Sequence, residues 1–174
     1  MKIIAFAASN HSESINKALV TYAASLLPSA DIEVLDLNDY EMPIYSQDRE
    51  KSLGIPDAAT SFFTKLGEAD ALIISFAEHN GSYTAAYKNL FDWTSRIDMK
   101  VFQGKPSVYL STSPGPGGAA SVLSTAVNSA HFFATEVKAS LSVPNFYDNF
   151  DLVTKQLTNA EIDAQLRDAV SCLG

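Results

Sequence analysis

Two hydrophobic rhythms alternate along the chain. Residues 2–7 (KIIAFA) are a short, nearly continuous apolar run, the pattern of a strand covered on both faces. Helical spacing follows at once: Ile15, Leu19, Tyr22 and Leu26 predict a helix over 14–27 with one buried stripe. Asp31 to Leu37 (DIEVLDL) reads as a second strand, closed by Asn38-Asp39, and a long polar loop, NDYEMPIYSQDREKSLG, runs from there to Gly54. Pro56 suits the first turn of a second helix, with Ala59, Phe62, Phe63 and Leu66 on its buried side through about Glu68. The third strand, Ala71 to Phe76 (ALIISF), is uniformly apolar and precedes an Asn80-Gly81 turn signal and a helix carrying Tyr87, Leu90 and Phe91. A fourth strand (SVYLST) follows Pro106. Val122, Leu123, Ala126, Val127 and Ala130 then mark a fourth helix, and Val137 to Val143 a fifth strand. Thr158 with Glu161 forms a capping-box pattern before a terminal helix carrying Ile162, Leu166, Ala169, Val170 and Leu173. Strand and helix thus alternate five times, which predicts an α/β fold with a parallel sheet and helices on both faces.

Composition narrows the functional classes. At 174 residues and 47% hydrophobic content, the chain is expected to form a single domain over residues 1–174. No apolar stretch approaches the roughly 20 residues needed to cross a bilayer, and MKIIAFAASN lacks the long apolar core of a signal peptide, so a cytoplasmic location is expected. A formal charge of −8 disfavours nucleic acid as a partner at long range. The single cysteine, Cys172, excludes an intrachain disulfide and a Cys-rich metal site, and no metal is expected.

In an open parallel sheet, ligands bind beyond the carboxyl ends of the strands, where the winding reverses. Three loops therefore matter: Ala8 to Ser14, Ala77 to Tyr83, and Ser113 to Gly118, all rich in small, hydroxyl, amide or glycine residues. In the first, Ser9, Ser12, Ser14 and Asn16 can hydrogen-bond phosphate oxygens, and unpaired amides at the start of the following helix add donors. A serine cap alone would use one of these side chains, which favours the anion. The G-x-G-x-x-G spacing, the glycine-lysine pair of a P-loop, the acidic cluster of a receiver domain and a phosphatase cysteine are all missing. A single phosphate bound without a metal remains.

With those loops in place, the chain resembles the NADPH-dependent FMN reductase family, a flavodoxin-like group that includes azo, quinone and chromate reductases. ASNHSESIN, residues 8–16, matches the family's G-S-x-R-x-x-S-x-N at Ser9, Ser14 and Asn16. AEHNGSYTAAYKNLFDW, residues 77–93, matches P-E-Y-N-x-S-x-P-G-x-L-K-N-A-I-D-W at Glu78, Asn80, Ser82, Lys88, Asn89, Asp92 and Trp93. Weaker agreement runs through EMPIYSQD, FQGKPSVYL and STSPGPGG, so the resemblance covers most of residues 1–120 and none of the tail from about 144.

The resemblance implies a flavodoxin-like doubly wound sheet of five parallel strands in the order 2-1-3-4-5. It implies FMN as cofactor, NADPH or NADH as electron donor, a small-molecule acceptor such as a quinone or azo compound, and assembly as a homodimer or homotetramer. Carried over, the phosphate falls to Ser9, His11, Ser14, Ile15 and Asn16, and the ring to Glu78, His79, Asn80, Gly81, Ser113, Pro114, Gly115 and Gly117. No side-chain nucleophile or other catalytic residue is implied, because the cofactor carries the chemistry. A flavodoxin-type one-electron carrier, or a binding domain without flavin, are the competing classes. Trp93 is expected in the core or at a subunit interface, Glu78 to order its loop, and His131 to be structural.

Departures from the family pattern are Ala8 for glycine, His11 for arginine, Ala77 and His79 for proline and tyrosine, and Thr84-Ala85 for proline-glycine. The arginine is a permanent bidentate phosphate partner, whereas histidine carries charge only part of the time near neutrality. If His11 faces the phosphate, FMN affinity falls between about pH 6 and about pH 8, the span over which ordinary histidines discharge. Equal dissociation constants at both ends, or an unaltered His11→Ala variant, would remove His11 from the phosphate site.

Overall fold

The computed structural model describes residues 1–174. In chain order the elements are β1 (Lys2–Ala8), α1 (Ile15–Ser25), β2 (Asp31–Leu35), α2 (Gln47–Leu53), α3 (Asp57–Glu68), β3 (Ala71–Phe76) and a small hairpin of β4 (Glu78–His79) and β5 (Ser82–Tyr83). Then come α4 (Ala85–Thr94), β6 (Lys105–Thr112), α5 (Ala120–Ser129), β7 (Thr135–Val143), the one-turn α6 (Phe146–Asn149), a second hairpin of β8 (Phe150–Asp151) and β9 (Gln156–Leu157), and α7 (Ala160–Ser171). Turns of 3-10 helix occupy Leu37–Tyr40 and Ala130–Phe133.

The main sheet is wholly parallel, in the order β2-β1-β3-β6-β7. Counted over its five strands this is 2-1-3-4-5, the flavodoxin-like arrangement. Winding reverses between β1 and β3, which places the switch point at the carboxyl ends of those two strands. The period-two geometry of β1 feeds both faces: Ile4, Phe6 and Ala8 pack with Phe62, Leu66, Tyr87, Leu90, Val122 and Leu123 of α3, α4 and α5. Ile3, Ala5 and Ala7 pack with Leu19, Val20, Leu166 and Val170 of α1 and α7. Double burial explains why β1 and β3 read as nearly unbroken apolar runs and why β6 is apolar at its centre, Val108 to Leu110.

Three local expectations shift. The second strand ends at Leu35 rather than Leu37, because Asp36 caps the 3-10 turn through a side-chain acceptor for the Asn38 N–H. The predicted loop 38–54 contains α2, which buries no residue and so carries no hydrophobic stripe; Ser46 caps it, and the N–H of Gly54 bonds back to the Glu50 carbonyl at its end. The terminal helix is capped by Asn159, whose Oδ1 accepts from the N–H groups of Glu161 and Ile162, so the cap lies one residue after Thr158 and the Thr158–Glu161 capping box does not form. Trp93 is fully buried, its indole N–H donating to the Pro43 carbonyl at 2.7 Å and its ring meeting Tyr45 edge-on. His131 is exposed on the Ala130–Phe133 turn.

Phe6 is fully buried between the Phe62 and Tyr87 rings. Phe6→Ala is expected to cost about 3–5 kcal/mol, from lost transfer energy and the cavity left behind. Leu53→Ala, on the helix that buries nothing, should stay within about 0.5 kcal/mol. Urea midpoints of the two variants check the contrast.

Candidate functional site

The loop after β1 returns directly into α1. Ser14 is the N-cap, its Oγ accepting the Lys17 N–H at 3.3 Å, while the Ser9 Oγ accepts the His11 N–H at 3.2 Å. The serine that sequence offers as a cap thus is one, yet its hydroxyl proton stays free to be donated. The N–H groups of Ser12, Glu13, Ile15 and Asn16 have no acceptor within the protein. They surround the positive end of the α1 dipole, the arrangement that suits an anion. Ser9 and Ser14 are buried, Ile15 is half-buried, and His11 is exposed with no hydrogen bond from its ring.

Asn16 takes a different part from the one its loop suggests. Its side chain is 3% exposed and points into the sheet: Oδ1 accepts from the Ser75 hydroxyl at 2.7 Å and the Thr112 N–H at 3.1 Å, and Nδ2 donates to the Thr112 carbonyl at 3.1 Å. What Asn16 can present to a phosphate is its backbone N–H alone.

The loop after β3 is a tight hairpin. Asn80 and Gly81 both have positive φ, 52° and 76°, as a two-residue turn with the twist of the flanking strands requires. Glu78 stands on this hairpin and reaches α5, where its Oε2 accepts the Val122 N–H at 2.8 Å. Helix α5 needs that acceptor, because its own N-cap, Ala119, is left-handed and offers no side chain. Glu78 therefore ties the second loop to the third. His79 is exposed beside the turn. Tyr83, on the returning strand, packs against Phe76 and Tyr87, and burial pushes its phenol above the usual range.

The loop after β6 is fastened to the end of β7 and to α6. Ser113 accepts the Phe146 N–H through its carbonyl, and the Gly115 carbonyl accepts from Asn145 and Gly118. Gly118, at φ 57°, is pressed against β7, where an added Cβ would sit 2.3 Å from the Ser142 Oγ. Gly115 and Gly117 face the other way: a Cβ at either, or at Gly81, would meet nothing within 4 Å, and the N–H groups of Gly115 and Gly117 have no acceptor. Pro114 lies between Ser113 and Gly115 in this loop, exposed.

The structure thus brings Ser9, His11, Ser14, Ile15 and the Asn16 backbone to one edge of the sheet with Glu78 to Gly81 and Ser113 to Gly117. Sequence reasoning missed the residues that join these loops. Thr84 donates its hydroxyl to the Ala8 carbonyl and caps α4, locking the second loop to the first. Ser75 and Thr112 complete the Asn16 network, and the lone hydroxyl inside ALIISF was a signal for it. Asn89 accepts the Tyr45 N–H and donates to the carbonyls of Met42 and Pro43, so the segment after β2 is held against α4.

A family model described as NADPH-dependent FMN reductase matches residues 1–148. An NAD(P)H-dependent FMN reductase of Pseudomonas aeruginosa is 35% identical over 121 residues, covering 69% of this chain and 64% of that protein. A 2-hydroxy-1,4-benzoquinone reductase of a Burkholderia species is 35% identical over 122 residues, again 69% and 64%. The matched part of the chain therefore spans just under two thirds of the length of these relatives. A solved flavoenzyme NAD(P)H:(acceptor) oxidoreductase of Paracoccus denitrificans superposes with a TM-score of 0.76 at 22% identity, covering 99% of this chain and 94% of the other, and shares the fold.

Asn16→Ala should destabilise the protein even without any ligand, by about 2–4 kcal/mol. It strands the Ser75 hydroxyl and both Thr112 backbone groups in a buried setting, where each lost partner costs about 1–3 kcal/mol before relaxation. Denaturant titration of the ligand-free protein checks it; a loss below about 0.5 kcal/mol would contradict the anchoring role.

Proposed function

The chain belongs to the NADPH-dependent FMN reductase family, and we propose that it is an FMN-dependent NAD(P)H oxidoreductase acting on a quinone, azo compound or similar small acceptor, or on free flavin. The observation that carries this reading is the open donor set at the start of α1. Four N–H groups without acceptors lie beside the serine hydroxyls at the switch point of a doubly wound sheet. The relatives' names, an FMN reductase and a benzoquinone reductase, support the same class.

The residues present fit FMN. The hydroxyls of Ser9 and Ser14 and the N–H groups of Ile15 and Asn16 suit a dianionic phosphate, with His11 exposed at the same loop. Glu78, His79, Asn80 and Gly81 on one side, and Ser113, Pro114, Gly115 and Gly117 on the other, would hold the ring. The open space at the three glycines admits a flat group against bare backbone. Bound FMN supplies hydride acceptance from NADPH or NADH and its delivery onward. The protein's part is to fix that position. Glu78 is spent on α5, so it orders the loop rather than moving a proton, and the glycine N–H groups of the third loop are the donors left to orient a ring. The chain holds no group of three or more His, Cys, Asp or Glu side chains placed to hold a metal ion.

Residues 1–174 are read as one functional unit that works in the cytoplasm, in keeping with helices none of which is long and apolar enough to cross a membrane. We also read it as a homodimer or homotetramer. Ile44, shortly before the unburied α2, and Leu53, its last residue, are 74% and 61% exposed, which suits coverage by a second copy.

The purified protein, incubated with FMN, is expected to acquire a flavin absorption band that NADPH or NADH bleaches under anaerobic conditions and a quinone restores. A band that forms but resists both nucleotides would point to an electron carrier. Failure to take up FMN at any pH would overturn the reading.

A further inference from the structure

A cleft of about 890 Å³ opens on the outer side of the phosphate loop, between α1 and the β8–β9 hairpin. We propose that it seats the adenosine monophosphate half of FAD, so that the chain accepts FAD as well as FMN. This rests on the reading of the loop as a flavin-phosphate site.

Continuity is the first argument. Ser12, Ser14 and Ile15 line the cleft and also form the phosphate loop, so a group extending from a phosphate held there enters the cleft directly. The cleft then runs along α1 past Ala18, Tyr22 and Ser25, and its volume falls within the range of about 300–1,000 Å³ typical of ligand sites. Its chemistry is the second argument. Tyr147 and Leu152 line it while 60% and 56% exposed, giving an aromatic face and an apolar contact to a base. Glu13 supplies a carboxylate of the kind that accepts a ribose diol and repels a phosphate at the 2′ position.

Two lysines reach the cleft in different states. Lys17 is paired with Asp36, whose carboxyl it holds below the usual range. Lys155 has no ion-pair partner anywhere in the chain, and is left to meet the second phosphate. The wall that carries it is bonded internally and packed against α1. Asp151 accepts the N–H groups of Val153 and Thr154, Phe150 stacks on Phe146 and meets Tyr22 edge-on, and the Thr158 N–H bonds to the Asn149 carbonyl. Most of this wall lies beyond residue 148, outside the segment the family model matches.

The test titrates the full chain with FMN and with FAD, followed by flavin fluorescence, alongside Lys155→Ala and Thr21→Trp. The second places an indole across the cleft from an exposed helix position. FAD is expected to bind at least as tightly as FMN. Lys155→Ala should weaken FAD about tenfold, the loss of one charge-assisted contact, and Thr21→Trp at least as much, with FMN affinity held within about twofold in both. FAD binding tenfold weaker than FMN, or variants that weaken both flavins alike, would overturn the inference and leave the FMN reading standing. If neither flavin binds, both fall together.

Discussion

The carboxamide of Asn16 decides what the carboxyl edge of the sheet can be. Strands of a parallel sheet end with backbone groups that have no further neighbour, and here one side chain from the first turn of α1 satisfies both backbone groups of Thr112 and the hydroxyl of Ser75. The helix is thereby pinned across β3 and β6, and its N-terminus is held at the switch point rather than swinging on a flexible loop. Ile15 and Asn16 stand in the first turn of α1, where N–H groups have no intrahelical acceptor, and the Ser14 cap accepts from Lys17 instead, so both N–H groups keep no partner. An anchor and an open donor set meet in the same turn.

The other two loops are fixed by the same kind of economy. Thr84 binds the second loop to the end of β1, Glu78 binds it to α5, and the carbonyl of Gly118 collects the hydroxyls of Ser111 and Ser142. Segments without regular structure are thus as well determined as strands, which lowers the ordering cost of any ligand they meet. The net charge of −8 does not contradict an anion site. Salt screens separated surface charges beyond about 8 Å at physiological ionic strength, whereas oriented N–H groups act at contact.

The fold was legible because its signals are redundant: the inner strands β1, β3 and β6 are buried on both faces, the edge strands β2 and β7 keep apolar residues at alternating positions, and each long helix carries a buried stripe. Helix α2 was not, since Gln47 to Leu53 bury nothing and the helix is held by its Ser46 cap and by Glu50, which meets the nearby Tyr45 and the sequence-distant Arg96. The three loops were legible as composition, but not the division of labour inside them. Asn16 and Ser14 look alike as polar loop residues, and only the register of α1 against β6 sends one inward and leaves the other as a cap. Thr84 was visible only as a departure from proline, its bond to the Ala8 carbonyl spanning 76 positions.

The tail after residue 148 is where structure adds most to sequence. Phe150, Leu157, Leu166 and Val170 cover the face of the sheet carrying Val108, Leu110 and Val143, so the tail is needed to bury half of the core. Tyr22 couples that cover to α1, donating to Asp163 at 2.5 Å and accepting from Arg167, with burial and this carboxylate holding its phenol above the usual range. A hairpin fastened this way must lie beside α1, and the space between them is bounded by the outer side of the phosphate loop. Changes to Tyr147, Leu152 or Lys155 can therefore alter what extends from that loop without disturbing the donors on its inner side. Selectivity for what the phosphate carries and the ability to hold a phosphate are, in this architecture, separable properties of two segments joined only through α1.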